Sequence, residues 1–283
     1  MGYKLVSKNQ KRSPIQDNPH DVARSGDLSG VLHCHLVVKS KEGLHPGTGQ
    51  LEVRDQGLVA SLGSRFAGLP SLPGSGLKGA VRSVYETFTG SCGVFDDKPW
   101  MTCSDAQPCN ACCVFGRLGH GGNLGFQEFV CRGSQYGITR VAEAFQGKKG
   151  MPSESRFYDG SRPRDFQGSL LPQSNPVEVL PQGSELTGSM WFRFLPRLAI
   201  GQVLVAMGLG VPKLRLRVGG KKFDGLGQVD VVPTKLELRD HAKLGRASAI
   251  TGQELVAWIQ QVAAEGVQGT PGAKEVLEQL AKL

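Results

Sequence analysis

The chain has 283 residues, 39 of them glycine and seven cysteine, with a formal charge of +8 and a pI of about 9.2. Such a length buries a substantial core in one elaborated domain or two small ones, and the basic balance favours a polyanionic partner without choosing among RNA, DNA and anionic lipid. No run of about 18 apolar residues occurs, so no membrane span is expected; the polar N-terminus lacks the apolar stretch of a secretory signal, and the glycines follow no collagen-like period.

Residues 1–29 read as a polar arm with a short strand at 3–6. Residues 31–39 form the first clear strand, with Leu32, Cys34, Leu36 and Val38 on one face. A glycine-rich loop with little periodicity covers 43–72. The spacing of Leu77, Val81, Val84 and Phe88 predicts a helix over 76–88. A cysteine-rich insert follows at 91–116, closing near Phe115-Gly116, and then a strand at 124–132. Segment 145–173 interleaves cations with aromatic rings. Strands are predicted at 177–180 and 186–195, an apolar helix at 200–209, a second glycine loop at 219–227 and a strand at 228–232. Thr251-x-x-Glu254 has the form of a capping box opening a helix to about 264. Gly269 and Gly272 break it, and a last helix ends the chain. The order strand, helix, strands, helix, strand fits a ferredoxin-like or RRM-like core, one α+β option among several.

Residues 72–82 read Leu-Pro-Gly-Ser-Gly-Leu-Lys-Gly-Ala-Val-Arg. The proline and glycines set a bare turn, Ser75 is placed to cap the helix behind it, and the first amides of a helix attract anions. Lys78 and Arg82, four residues apart, share one helical face. The segment is either a phosphate cradle backed by two cations or a capped surface helix with ordinary charges. It is not a Walker loop, whose Gly-x4-Gly-Lys-Ser/Thr spacing is absent. In the second loop, Gly219 and Gly220 permit close approach of backbone to a ligand while Lys221 and Lys222 supply charge; a basic hairpin turn is the alternative. Lys148, Lys149, Arg156, Arg162 and Arg164 with Phe157 and Tyr158 have the composition of a single-strand-binding surface, or of a solvated loop.

Five cysteines fall between positions 92 and 113. Without a secretory signal, the clustering points to metal rather than disulfides and to a reducing, cytoplasmic setting. Cys109-x-x-Cys112 is a zinc knuckle, with Cys103 and either Cys92 or His120 completing a tetrahedral set. Zn2+ there would be structural, closing a loop that has no apolar core; unliganded thiols are the alternative. Cys34 and Cys131, in strand-like segments, are expected in the core.

Residues 73–79 resemble the proline-glycine-serine-serine-leucine-lysine-glycine signature of the RAMP superfamily, the RRM-like subunits of CRISPR effector complexes, with Gly76 in place of the second serine. These proteins carry a glycine-rich loop before a late strand, where 219–227 lies, so the resemblance covers most of 30–235. It implies an RRM-like domain over 30–240, with a zinc-binding insert at 91–116 ahead of Phe115-Gly116 and a thumb-like hairpin at 145–173. A C-terminal helical segment covers 241–283. The implied function is that of an RNA-binding backbone subunit of a type III-like or type VII-like CRISPR ribonucleoprotein. It would polymerise with copies of itself along crRNA and hold target RNA beside other effector subunits. The residues implied to hold RNA are Ser75, Gly76, Lys78, Arg82, Lys148, Lys149, Arg156, Phe157, Tyr158, Arg162, Gly219, Gly220, Lys221 and Lys222. Family members that cut target RNA place an aspartate in the loop after the first strand. Asp55 stands there, farther from the helix than is usual, and 58–61 holds no acid. Binding without cutting is therefore favoured over a Mg2+-dependent endoribonuclease, with a zinc-stabilised protein-interaction module as a third reading. His45 resembles the family's glycine-leucine-histidine step and is expected to be positional.

Overall fold

The computed structural model describes residues 3–11, 24, 26–54, 57–91, 103, 108–142, 154–161, 169–241 and 247–283. Its elements run β1 (Lys4–Ser7), β2 (Leu28–Val38), β3 (Gly47–Val53), β4 (Val59–Gly63), β5 (Arg65–Phe66), β6 (Leu69–Leu72), α1 (Gly74–Thr89), α2 (Asn110–Phe115), β7 (Leu124–Phe126), β8 (Phe129–Cys131), β9 (Gly137–Ala142) and β10 (Glu154–Phe157). There follow β11 (Gln173–Val179), β12 (Glu185–Leu195), α3 (Arg197–Ala206), β13 (Leu216–Arg217), β14 (Gln228–Asp240), β15 (Ser248–Thr251), α4 (Gly252–Gln268) and α5 (Ala273–Ala281).

The main sheet has the order β13-β14-β2-β12-β8-β6-β5, with β15 on β14 and β7 on β12, and its pairs are antiparallel. Alternation in β2 decides which face is inside. Leu28, Leu32, Cys34, Leu36 and Val38 are buried; Val31, His33, His35 and Val37 are half-buried on the other side. Register carries the apolar row across the sheet, Leu36 opposite Leu186 and Leu32 opposite both Met190 and Leu236. This face shares one core with α1, α3, α4 and α5. Burial pushes the Cys34 thiol up to about 12, as befits an inert core residue, and Cys131 is equally buried.

A buried polar chain ties the helices together. Tyr85 of α1 donates to Gln202 Oε1 of α3 at 2.6 Å, Gln202 Nε2 donates to Thr270 Oγ1 at 2.6 Å, and Thr270 donates to the Gly266 carbonyl of α4. Asn9 fixes the N-terminal segment in the same region, its Nδ2 donating to the carbonyls of Phe88 and Pro271 at 2.8 Å each.

A second sheet, β3-β4-β11-β9, is parallel only between β4 and β11. It occupies much of the stretch expected as a loop at 43–72. That expectation missed four strands because β3 is exposed along its whole length and rich in glycine, so it shows no apolar alternation. The strand expected at 124–132 is two strands, broken at Gln127, whose amide bonds to the Ser189 carbonyl. β14 runs well past 232, its register shifting at Pro233, which has no amide to donate. Thr251 stands at the N-cap of α4 without a side-chain cap bond, so the capping box is not made. Among the described residues no helix is long and apolar enough to cross a membrane.

Candidate nucleic-acid interface

Helix α1 starts two residues earlier than its apolar spacing suggests. Pro73 holds the N-cap with φ −56° and ψ 133°, and its carbonyl takes the amides of Gly76 and Leu77. Ser75 is therefore not the cap; it sits exposed in the first turn beside exposed Gly76. With no side-chain cap and no acidic residue in that turn, the Gly74 and Ser75 amides have no partner among the described residues, at the positive end of a 16-residue helix. Gly74 lets the helix start lie on β7, since a Cβ there would stand 2.1 Å from the Phe126 carbonyl oxygen.

One turn on, Lys78 is half-buried and makes no hydrogen bond or ion pair among the described residues. Burial, and secondarily the charge of Arg82, pull its pKa below the ordinary lysine value. Arg82 shares this face but its donors turn elsewhere: Nε to Glu86 Oε1 at 2.7 Å, Nη1 to the Gly116 carbonyl at 2.9 Å, and Nη2 to Cys112 Sγ at 3.8 Å. It joins α1 to the cysteine insert.

The second glycine loop is held by His45. Gly219 has φ +77°, and a Cβ there would lie 2.5 Å from the His45 carbonyl oxygen, which accepts from the Gly220 amide at 2.8 Å. The His45 ring is buried. A carbonyl can only accept, so Nδ1 carries the proton and donates to the Glu178 carbonyl at 2.6 Å, leaving Nε2 toward Ser61 Oγ at 3.5 Å. Beyond the loop's glycines, Asp224 is buried and accepts from the Ala142 amide at 2.7 Å, pinning the 3-10 turn Lys222–Asp224 to β9.

Burial is the main cause lowering the His45 pKa below 6.5; the bond to Glu178 opposes it and Lys221 adds to it. The unfolded chain thus binds the proton more readily, and stability is lost as pH falls from 6.5 toward the depressed folded value. Thermal melts between pH 7.5 and 5.5 are expected to show an acid-side fall that His45→Asn flattens. An unchanged slope in the variant would show that this ring is not the titrating group.

Beneath the loop, Glu178 is a carboxylate hub whose side chain is 1% exposed. Arg65 grips it with both Nη atoms, at 2.9 and 2.7 Å; the Gly63 amide donates at 2.8 Å, and Arg54 bonds to the same group. Burial alone would raise this carboxyl, but the Arg65 and Gly63 hydrogen bonds, with the charges of the arginines, hold it below its ordinary value.

Arg156, Phe157 and Tyr158, on and after β10, meet Lys222 in one cleft beside Ala80, Ser83 and Val84 of α1. Arg215 and Arg217 join them there, and neither was anticipated as a site residue. Their signal was present in the alternation Leu214-Arg215-Leu216-Arg217-Val218, which puts the leucines and valine inside and the arginines out. Ser75, Gly76, Gly219 and Gly220 do not line this cleft. Asp55, Cys92, Lys148, Lys149 and Arg162 lie outside the described residues.

The ligand atoms of Cys103, Cys109 and Cys112 all lie within 4.8 Å of one another. Tetrahedral zinc with Zn–S bonds of about 2.3 Å sets its sulfurs about 3.8 Å apart, so the three fit one ion. Their placement follows from α2, a six-residue helix with Cys109 at its N-cap and Cys112 on its first turn. His120 is exposed in the Arg117–His120 bridge and is not among the grouped ligands, nor is buried Cys113.

The RAMP superfamily's family model matches residues 44–251, a span that begins beside His45, takes in α1, the cysteines and the second glycine loop, and ends at the N-cap of α4. No curated protein matches the chain. With well over half of its residues matched, the chain belongs to the RAMP superfamily, whose members are CRISPR-associated proteins that bind or process RNA.

Proposed function

We propose that this protein is a non-cutting backbone subunit of a CRISPR ribonucleoprotein. Copies of it line up along crRNA and hold the guide–target duplex beside other effector subunits. The observation that carries this reading is the uncapped start of α1: two amides and, behind them, a lysine that have no partner among the described residues, with a first turn without acid, in a RAMP chain. A phosphate seated there would complete the amides through the helix N-terminus and supply Lys78 with a counter-charge. The loop of Gly219, Gly220 and Lys221, propped on His45, is the second grip on the sugar-phosphate strand. Arg82 serves as the tie between α1 and the insert.

The strand order supports a ferredoxin-like core built from β2, α1, β8, β12, α3 and β14, since β14-β2-β12-β8 with both helices on one side is the arrangement of a split βαβ unit. Segment 145–173 is the thumb in this reading. Of it, residues 154–161 and 169–173 are described, with β10 paired to β1 of the N-terminal arm.

Lys78→Ala is expected to weaken RNA binding about equally across guide sequences and to make the slope of log K against log salt shallower by about 0.7. Filter binding at several salt concentrations measures it. An unchanged slope removes Lys78 from the interface. Mixing the assembled complex with labelled target RNA and Mg2+ tests the non-cutting part: regularly spaced cuts abolished by Asp55→Ala would replace the scaffold with a nuclease.

A further inference from the structure

The cleft between β10, β13, α1 and the C-terminal residues is more specific than a phosphate track. The space between its walls, about 570 Å³, includes open solvent, so it is an open cleft rather than an enclosed cavity. Its apolar floor is taken as the lining side chains of Val84, Leu214, Leu216 and Leu280, and the rings of Phe157 and Tyr158 line it as well. Its cations are Arg156, Arg215, Arg217 and Lys222, and among the described residues no aspartate or glutamate side chain lines it.

These cations are unevenly engaged. Arg156 lies 4.7 Å over the Tyr3 ring, whose edge meets Tyr158 at 6.4 Å between centroids. Arg217 donates to the carbonyls of Gly225 and Leu226 at 2.9 and 3.2 Å, which orient its guanidinium without neutralising it; Asp159 and Glu42 act on it from outside the lining. Lys222 makes no hydrogen bond or ion pair among the described residues, and burial pulls its pKa below the ordinary lysine value. Exposed Arg215 is likewise without a partner among them. A half-buried lysine with no counter-ion is costly unless an anion joins it.

A neutral apolar ligand would leave these charges unanswered, and a bare inorganic anion would leave the apolar floor and the rings unused. A planar ring carrying a phosphate satisfies both. We propose that the cleft is a single-nucleotide pocket, taking the base between Tyr158 and the apolar floor and the phosphate on Lys222 and Arg215. This rests on the RNA-binding reading for its natural source, one nucleotide of a bound RNA strand rather than a free nucleotide. The flat aromatic side favours a ring over an acyl chain.

The test uses the full chain freed of copurifying RNA, titrated calorimetrically with AMP, CMP, inorganic phosphate and dodecyl phosphate. Saturable binding of both nucleotides is expected, weakened about tenfold or more by Lys222→Ala and by Tyr158→Ala, in line with a charge-assisted contact and one stacked base. Arg215→Ala, at an exposed position, is expected to weaken it as well and keeps the test open if either other variant fails to fold, which circular dichroism would reveal. Phosphate binding as tightly as AMP, or dodecyl phosphate binding more tightly, overturns the nucleotide assignment. RNA binding by the unmodified chain with no AMP binding overturns the pocket and leaves the RNA-binding reading intact. AMP binding without RNA binding supports the pocket and overturns its RNA source. Prior addition of guide RNA is expected to block AMP; full AMP binding in its presence would assign the cleft to the free nucleotide instead.

Discussion

Replacing Glu178 by alanine is expected to lower the unfolding free energy by about 3 kcal/mol, the low end of the range for breaking a buried ion pair. The carboxylate is 1% exposed, whereas Arg65 and Arg54 are 39% and 33% exposed, so the abandoned arginines regain part of their hydration and the upper end is not reached. The lost contacts also matter: the Gly63 amide loses its acceptor, and β4 and β11 lose their main side-chain link. At the size of this chain the melting midpoint should fall by about 5 °C. Glu178→Gln, which keeps the shape and one acceptor oxygen, should cost less. The wild-type carboxyl titrates below its ordinary 4.5, so its contribution is fully present above that pH and is lost as pH falls through the depressed value; the alanine variant lacks this acid limb. The alanine variant keeps the main-chain carbonyl that orients His45 but loosens the strand that presents it, and His45 carries the second glycine loop, so RNA affinity should fall alongside stability. A midpoint within 2 °C of wild type, about 1 kcal/mol or less, would mean that the hub is solvated rather than structural.

What could be read from the chain alone divides along the line between local and non-local determinants. α1 was legible because Leu77, Val81, Val84 and Phe88 recur at helical spacing and all face the core. β2 and β12 were legible because one face of each is buried, which imposes a two-residue alternation. The exposed hairpin β3–β4 carries no such constraint and was missed. The hub was missed for another reason. Between buried Val177 and Val179, Glu178 reads as an outward residue, and its arginines lie 113 and 124 positions away in the chain. Lys222 and Arg156 were both legible as basic residues near glycine or aromatic rings. Their convergence on one cleft was not, because β10, β13 and α1 are brought together only by folding. Arg82 shows the opposite error: its spacing from Lys78 is right for a shared face, but its donors go to Glu86, Gly116 and Cys112, partners that helical periodicity cannot show beyond the first.

Elemental analysis of the purified protein is expected to find about one zinc per chain, and Cys112→Ser to abolish it. Three sulfurs within 4.8 Å of one another, without a disulfide among them, form a concentrated thiol site beside the Arg82 guanidinium, whose charge favours the thiolate form that zinc requires. The six-residue α2 is too short to persist by its own hydrogen bonds, so an anchor at its N-cap and first turn is what its position calls for. His120 is exposed and is not grouped with the three sulfurs, and Cys92, the other candidate for the fourth place, lies outside the described residues. Zinc binding in small peptide sites is worth about 10–16 kcal/mol, only part of which is needed to hold an insert already packed through Ala111, Val114 and Phe115. Chelation should therefore release the insert, read as faster hydrogen exchange over 108–116, while α1 stays folded through its contacts with the core. Cys113→Ser is the internal control: its sulfur lies outside the group of three, so metal content should be unchanged even if the loss of a buried thiol lowers the melting midpoint. Stoichiometric zinc in Cys112→Ser, or its loss in Cys113→Ser but not in Cys109→Ser, would require a different ligand set, and with it a different role for Arg82.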